Sequence, residues 1–165
     1  MQIRHAKKSD FKTIAEVQIE SWKDSYSDVL PADFLDRKIN GSIIQHWNEV
    51  EIHDGDVILV AEEKKTIGFI AVWCQTIPYI DNLHVLPSMR SKKIGTTLMR
   101  AVAKELINNG YNSAYLWVFE SNGKAIQFYD RLGGKQKEES IKTVFGFNVP
   151  SRKIEWDDLS LILIT

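Results

Sequence analysis

One cysteine in 165 residues, Cys74, leaves no partner for an internal disulfide. It stands in the apolar run GFIAVWCQ, where a small buried thiol is expected rather than a nucleophile. An excess of positive charge is also lacking: 21 Lys and Arg against 22 Asp and Glu give a formal net charge of −1. A protein that tracks phosphates along a nucleic-acid groove needs a strong basic excess, so nucleic acid is disfavoured as a partner. No apolar run reaches the length of a membrane span, and MQIRHAKKSD holds none of signal-peptide length, so no membrane partner and a cytoplasmic location are expected. Repeats, low-complexity segments and Pro-, Gly- or Ser-rich linkers are absent, so one domain over residues 1–165 is expected, large enough for a core without staples. His5, His46, His53 and His84 show no metal-ligand spacing, and no metal is expected.

Three familiar phosphate cradles or nucleophile turns are missing as well. Gly123-Lys124 is followed by Ala125 and lacks the upstream glycine of a P-loop, no G-x-G-x-x-G occurs, and no G-x-S-x-G occurs. What is present is a change of period along the chain. MQIRHA alternates as a strand; SDFKTIAEVQIESW, a second short helix entered through Pro31, and GSIIQHWNEVE read as helices. DVILVAEE, TIGFIAVWCQ and IPYIDNLHV then read as an antiparallel meander of three strands. A helix from Gly95 carries Leu98, Ala101, Val102 and Leu106 and stops at Gly110, a natural left-handed C-cap. SAYLWVF is a further strand and NGKAIQFYDRLGG a capped helix. The tail holds one or two more strands, and its apolar end, LSLILIT, is expected to pair within the sheet or across a dimer edge, which leaves a homodimer open.

Residues 77–118 therefore run strand, helix, strand, an order that makes the two strands parallel with a right-handed crossover. The turn Arg90-Ser91-Lys92-Lys93 lies at the carboxyl end of the first strand and the amino end of the helix. Open α/β sheets bind ligands there, and free backbone N–H groups favour phosphate. A local basic turn in a neutral chain suits a small anionic ligand. A pyrophosphate fits.

At this point the sequence resembles the GNAT superfamily of acyl-CoA-dependent N-acyltransferases, over essentially the whole chain and most densely from Ile77 to Gly133. Arg90-Ser91-Lys92-Lys93-Ile94-Gly95 is similar to the family's [QR]-x-x-G-x-[GA] pyrophosphate motif, with Lys93 where glycine is usual. A lysine is expected to fit there with a negative φ, its ammonium within reach of the ligand. IDNLHVLP resembles the family's fourth strand with its V-x-P turn, and NGKAIQFYDRLGG its N-x-x-A-x-x-F-Y-x-x-x-G helix. The resemblance implies a mixed α/β fold: a mostly antiparallel central sheet, a splayed parallel pair formed by the fourth and fifth strands, and about four flanking helices. It also implies acetyl-CoA as co-substrate.

The same resemblance suggests roles. Leu83, His84 and Val85 are backbone candidates for the pantetheine arm, in the manner of an added strand, and an amide near Leu83 or Val85 is a candidate oxyanion donor. Arg90, Ser91, Lys92, Lys93, Ile94, Gly95 and Thr96 would hold the pyrophosphate. Asn122 is an N-cap candidate and a possible pantetheine contact; Lys124 would touch a phosphate or simply be solvated. Tyr129 occupies the family's general-acid position, its alternative being an aromatic packed at helical spacing with Ala125, Phe128 and Leu132. The strand glutamate common in the family falls on Tyr79. Asp81, two residues on and by alternation on the same face, is then the candidate base, with His84 expected on the opposite face. ESWKDSYSDVLPADFLD resembles an acceptor-binding segment: Trp22 and Tyr26, four apart, would wall a cationic amine or belong to the core, with Tyr79 beside them. An amine-bearing small molecule is the expected acceptor. A non-catalytic acyl-CoA-binding domain, a protein N-terminal or lysine acetyltransferase, and a nucleotide-binding module stay open as alternatives.

Overall fold

The computed structural model describes residues 1–165. Seven strands form one sheet: β1 (Gln2–His5), β2 (Val57–Glu62), β3 (Thr66–Trp73), β4 (Tyr79–Val85), β5 (Ala114–Phe119), β6 (Lys135–Val144) and β7 (Phe147–Trp156). Their order is β1-β2-β3-β4-β5-β7-β6, and every neighbouring pair is antiparallel except β4 and β5. β2 and β3 read as unbroken apolar runs because helices cover both faces. Phe69 meets Trp47 of helix α2 (Ile39–Glu49) at 5.4 Å between ring centroids. Its neighbour Gly68 lies against Ile94, at the start of helix α3 (Ile94–Asn108), on the other face. Helix α1 (Phe11–Ser25) packs beside α2, burying Ile14, Ala15, Val17 and Trp22.

The expected helix from Gly95 begins one residue earlier, and its apolar stripe, Leu98, Met99, Val102, Ala103 and Leu106, is buried. Gly110, at φ +89, ends it: its N–H donates to the Ile107 carbonyl while the Tyr111 N–H reaches back to Leu106, the paired bonds of a Schellman cap. Helix α4 (Gly123–Arg131) starts on Asn122, whose Oδ1 accepts from the Ala125 N–H at 3.2 Å.

Two expectations change. The second and third predicted helices join: Phe34–Lys38 is a turn of π-helix running straight into α2, so no break separates them. LSLILIT forms no strand, and no sheet edge is built from it. It folds as the short helix α5 (Leu161–Ile164) against α3, with Leu159 and Ile162 buried. A short apolar run carries no period that separates strand from helix, and here Gly133, at φ +80, lets Leu161 approach closely enough to dock the tail as a helical turn. No helix is long and apolar enough to cross a membrane.

Candidate active site

β4 and β5 pair at a single point, Tyr79 opposite Tyr115, where the Tyr115 N–H donates to the Pro78 carbonyl at 3.1 Å. Beyond it the strands part, and the gap opens into one cleft of about 1220 Å³. The alternation of antiparallel pairing decides which groups face the gap. The Leu86 N–H donates to the Ile67 carbonyl. In the same register His84 and Asn82, opposite Phe69 and Ala71, also turn their backbone groups to β3. Leu83 and Val85 therefore present N–H and C=O to the gap, and His84 does not offer its backbone there.

At the far end of β4 the chain enters the loop before α3. None of the amides from Ser91 to Thr96 donates to a backbone or side-chain acceptor, the first helical bond being Thr97 N–H to the Lys93 carbonyl at 2.9 Å. Ser91 and Lys93 both adopt left-handed φ, 65° and 60°. This corrects the expectation of a negative φ at Lys93 and gives the reason glycine suits this position: left-handed residues alternating with Lys92 curl the amides into a concave anion nest. A Cβ on Gly95 would lie 3.4 Å from Phe128 Cζ, so glycine there lets α4 close over the start of α3. Arg90, Lys93, Lys124 and Arg131 line the cleft, whereas Lys92 does not; its Nζ rests 3.5 Å from Met89 Sδ. Arg90 reaches away from the loop to α1, donating to Asp24, to Ser25 Oγ at 3.1 Å and to Ser21 Oγ at 3.2 Å. Ile94 belongs to the core and Thr96 lines the cleft.

Tyr129 is 8% exposed, faces the cleft, and packs its ring on Phe128 and Trp156 at 5.2 and 6.0 Å. Its hydroxyl has no hydrogen-bond partner in the protein. Burial, with a smaller push from Tyr26, holds its phenol well above the ordinary value, so it keeps its proton. Tyr26 is raised by burial too, opposed by the Asn122 side chain beside it.

Asp81 sits on an irregularity. Ala71 pairs with Asn82 and Val72 with Ile80, so Asp81 is the extra residue of a β-bulge. Its Oδ2 accepts from Trp73 Nε1 and Asn82 Nδ2, both at 2.9 Å. The bulge breaks the alternation that set His84 opposite Asp81: both side chains line the same cleft. His84 Nδ1 lies 3.0 Å from Ser21 Oγ, and burial, with a smaller contribution from Arg90, lowers its pKa to about 3. The ring is therefore neutral at neutral pH. Cys74 is pushed up to about 11, chiefly by burial, consistent with an inert thiol.

The remaining wall is aromatic. Trp22 meets Tyr26 edge-on at 5.0 Å and also touches Phe119 and Phe145; its indole N–H is buried without a partner. Tyr79 stacks on Tyr115 at 5.1 Å, and burial together with the Asp81 carboxylate raises its phenol. Trp117, Phe119, Lys142 and Phe145 also line the cleft and escaped the sequence reading. The period-two run Tyr115, Trp117, Phe119 was the available signal for the first two.

A sheet divided at its one parallel pair, with unpaired amides and cations at the next helix start, defines the class: the N-acyltransferase fold. The sequence matches the acetyltransferase (GNAT) family over residues 11–134, and the chain belongs to that family, an acyltransferase of EC class 2.3.1. It is 24% identical over 168 residues, 97% of this chain and 95% of the relative, to the uncharacterized N-acetyltransferase YuaI of Bacillus subtilis. A spermidine N(1)-acetyltransferase of Thermoplasma acidophilum is 26% identical over 149 residues, covering 84% of this chain and 90% of that one. The crystal structure of PaiA N-acetyltransferase from Thermoplasma acidophilum in complex with coenzyme A shares the fold. Its TM-score is 0.68 at 23% identity, with 92% of this chain and 96% of that chain covered.

Proposed function

We propose that this protein transfers the acetyl group of acetyl-CoA to a primary amine of a small molecule, of polyamine, amino-sugar or amino-acid type, by direct attack. The observation that carries this is the continuity of one cleft from the free amides of Ser91–Thr96, past the gap-facing groups of Leu83 and Val85, to Asp81 and Tyr129. The residues fit the co-substrate: an amide nest with Lys93 and Lys124 nearby for the phosphates, a strand edge for the two pantetheine amides, and Asn122 lining the same cleft. Acetyl-CoA supplies an acetyl group activated as a thioester, with a thiolate leaving group.

The chain does the rest. The Leu83 or Val85 N–H stabilises charge on the carbonyl oxygen. An alkylamine with a pKa near 10.4 costs about 4–5 kcal/mol to deprotonate at pH 7. Asp81 holds the ammonium and takes its proton directly or through water. Tyr129 Oη donates to the departing sulfur; the burial that raises its phenol raises a thiolate in the same pocket, which keeps the two matched. Trp22, Tyr26 and Tyr79 form the amine's aromatic wall. Named relatives act on such amines: the spermidine enzyme above, and a mouse thialysine N-epsilon-acetyltransferase 31% identical over 70 residues, 42% of this chain and 41% of that one.

Thiol release with a panel of amines, alongside calorimetric titration with acetyl-CoA and ATP, tests the reading. Turnover with at least one primary amine and preference for acetyl-CoA are expected. Preference for ATP, or an amine panel without turnover, overturns it. At a ligand concentration 100 times Kd the melt rises by the equivalent of about 2.7 kcal/mol.

A further inference from the structure

The β6–β7 hairpin turns through Phe145 and Gly146, both with positive φ (47° and 83°), the two-residue turn whose twist suits a tight hairpin. It leans over the acceptor end of the cleft: Phe145 packs on Trp22 at 5.4 Å and on Phe34 at 5.9 Å. The hairpin carries Lys142 with it, whose Nζ lies 3.8 Å from the centroid of the Trp117 ring, inside the cleft. Trp117 stands two residues beyond Tyr115, and Asp81 two beyond Tyr79, so both flank the fork where β4 and β5 part. A primary amine of the protein itself is therefore seated on an aromatic face at the fork.

A second lysine gives the contrast. Lys153 lies 4.9 Å from the Tyr115 ring but is held by Glu155 at 3.4 Å and Glu138 at 3.5 Å, and does not line this cleft. Lys142 has no carboxylate within ion-pair distance, and its strand lies at the edge of the sheet. It is an alkylamine with four rotatable carbons, tethered only by a cation–π contact.

We propose that Lys142 is a self-acetylation site: in the absence of an external amine, the protein transfers the acetyl group of acetyl-CoA to Lys142 Nζ. This rests on the acetyl-transfer reading above. The Lys142 C–N bond forms as the thioester C–S bond breaks. The ammonium loses two protons in becoming an amide, one ending on the coenzyme thiol and the other in solvent. The product is neutral, so it surrenders the cation–π contact and removes one positive charge from the acceptor end.

The test incubates the full chain with acetyl-CoA and no amine, and follows acetyl occupancy at each lysine by peptide mass spectrometry. Occupancy at Lys142 is expected to outpace that at Lys153, with a first-order rate constant unchanged on dilution of the protein. Tyr129→Phe is expected to slow it in parallel with amine turnover, and Lys142→Arg to remove that acetyl group from the intact mass. Labelling at Lys142 no faster than at Lys153, or a rate constant that falls with dilution, overturns the proposal. Acetyl-CoA binding and amine turnover, measured on the same sample, separate the two failures. If both are present while Lys142 stays unmodified, only the self-acetylation is wrong; if neither is found, the acetyl-transfer reading falls first.

Discussion

Replacing Tyr129 by phenylalanine removes one oxygen and nothing else the fold uses. The ring keeps its contacts with Phe128 and Trp156, and the hydroxyl has no hydrogen bond in the protein to lose. The expected change in stability is below about 0.5 kcal/mol, a melting shift of about 1–2 °C for a chain of this size. The expected change in rate is much larger: a positioned general acid contributes about 10²–10⁴-fold, or roughly 3–5 kcal/mol of barrier. Steady-state thiol release at saturating acetyl-CoA and amine, with a melt on the same sample, reads both. A fall in kcat with KM and melting temperature held is the signature of a proton donor. An unchanged kcat refutes the role; a drop of several degrees shows that the hydroxyl serves the fold instead.

Three further outcomes follow from the geometry. His84 titrates at about 3 in the folded protein against about 6.5 unfolded, so below pH 6.5 the unfolded chain binds a proton the folded one does not. Stability is accordingly lost as pH falls from 6.5 toward 3, and His84→Asn should flatten that part of the melting profile; identical profiles would show that the ring does not titrate this way. Lys93→Gly relieves a left-handed residue at φ 60° and should raise the melting temperature by about 2–4 °C while weakening acetyl-CoA binding, as thermal melts and calorimetry will show. Gly134→Ala places a Cβ 2.6 Å from Ile154 Cγ2 and 2.8 Å from Trp156 Cζ2, so a loss of about 1–3 kcal/mol is expected in chemical denaturation.

The elements with long, consistent periods are legible in the sequence: α3 by its stripe and its glycine stop, the β2–β3–β4 meander by apolar runs, and the parallel pair by the helix between its strands. What stays hidden depends on backbone detail that side-chain pattern does not encode. Alternation places His84 opposite Asp81 only if β4 has no extra residue, and nothing in YIDNLHV marks the bulge. The left-handed turn at Lys93 is masked because lysine occupies a conformation glycine would advertise. Arg90 sits in the motif, yet its guanidinium is drawn to Asp24 of α1 by a contact 66 residues away in sequence. Lys142 reaches the cleft from an edge strand whose solvent-facing pattern shows no purpose until the hairpin is folded over Trp117.

The single unpaired residue in β4 stands outside the backbone ladder on either side of it. Deleting Asp81 would leave Asn82 facing Ala71 and Ile80 facing Val72 in an unbroken ladder. The backbone ladder therefore closes without this residue, and what its loss takes away is the acceptor shared by the Trp73 and Asn82 side chains. A lineage could gain or discard the group through one small indel, without rebuilding the scaffold around it.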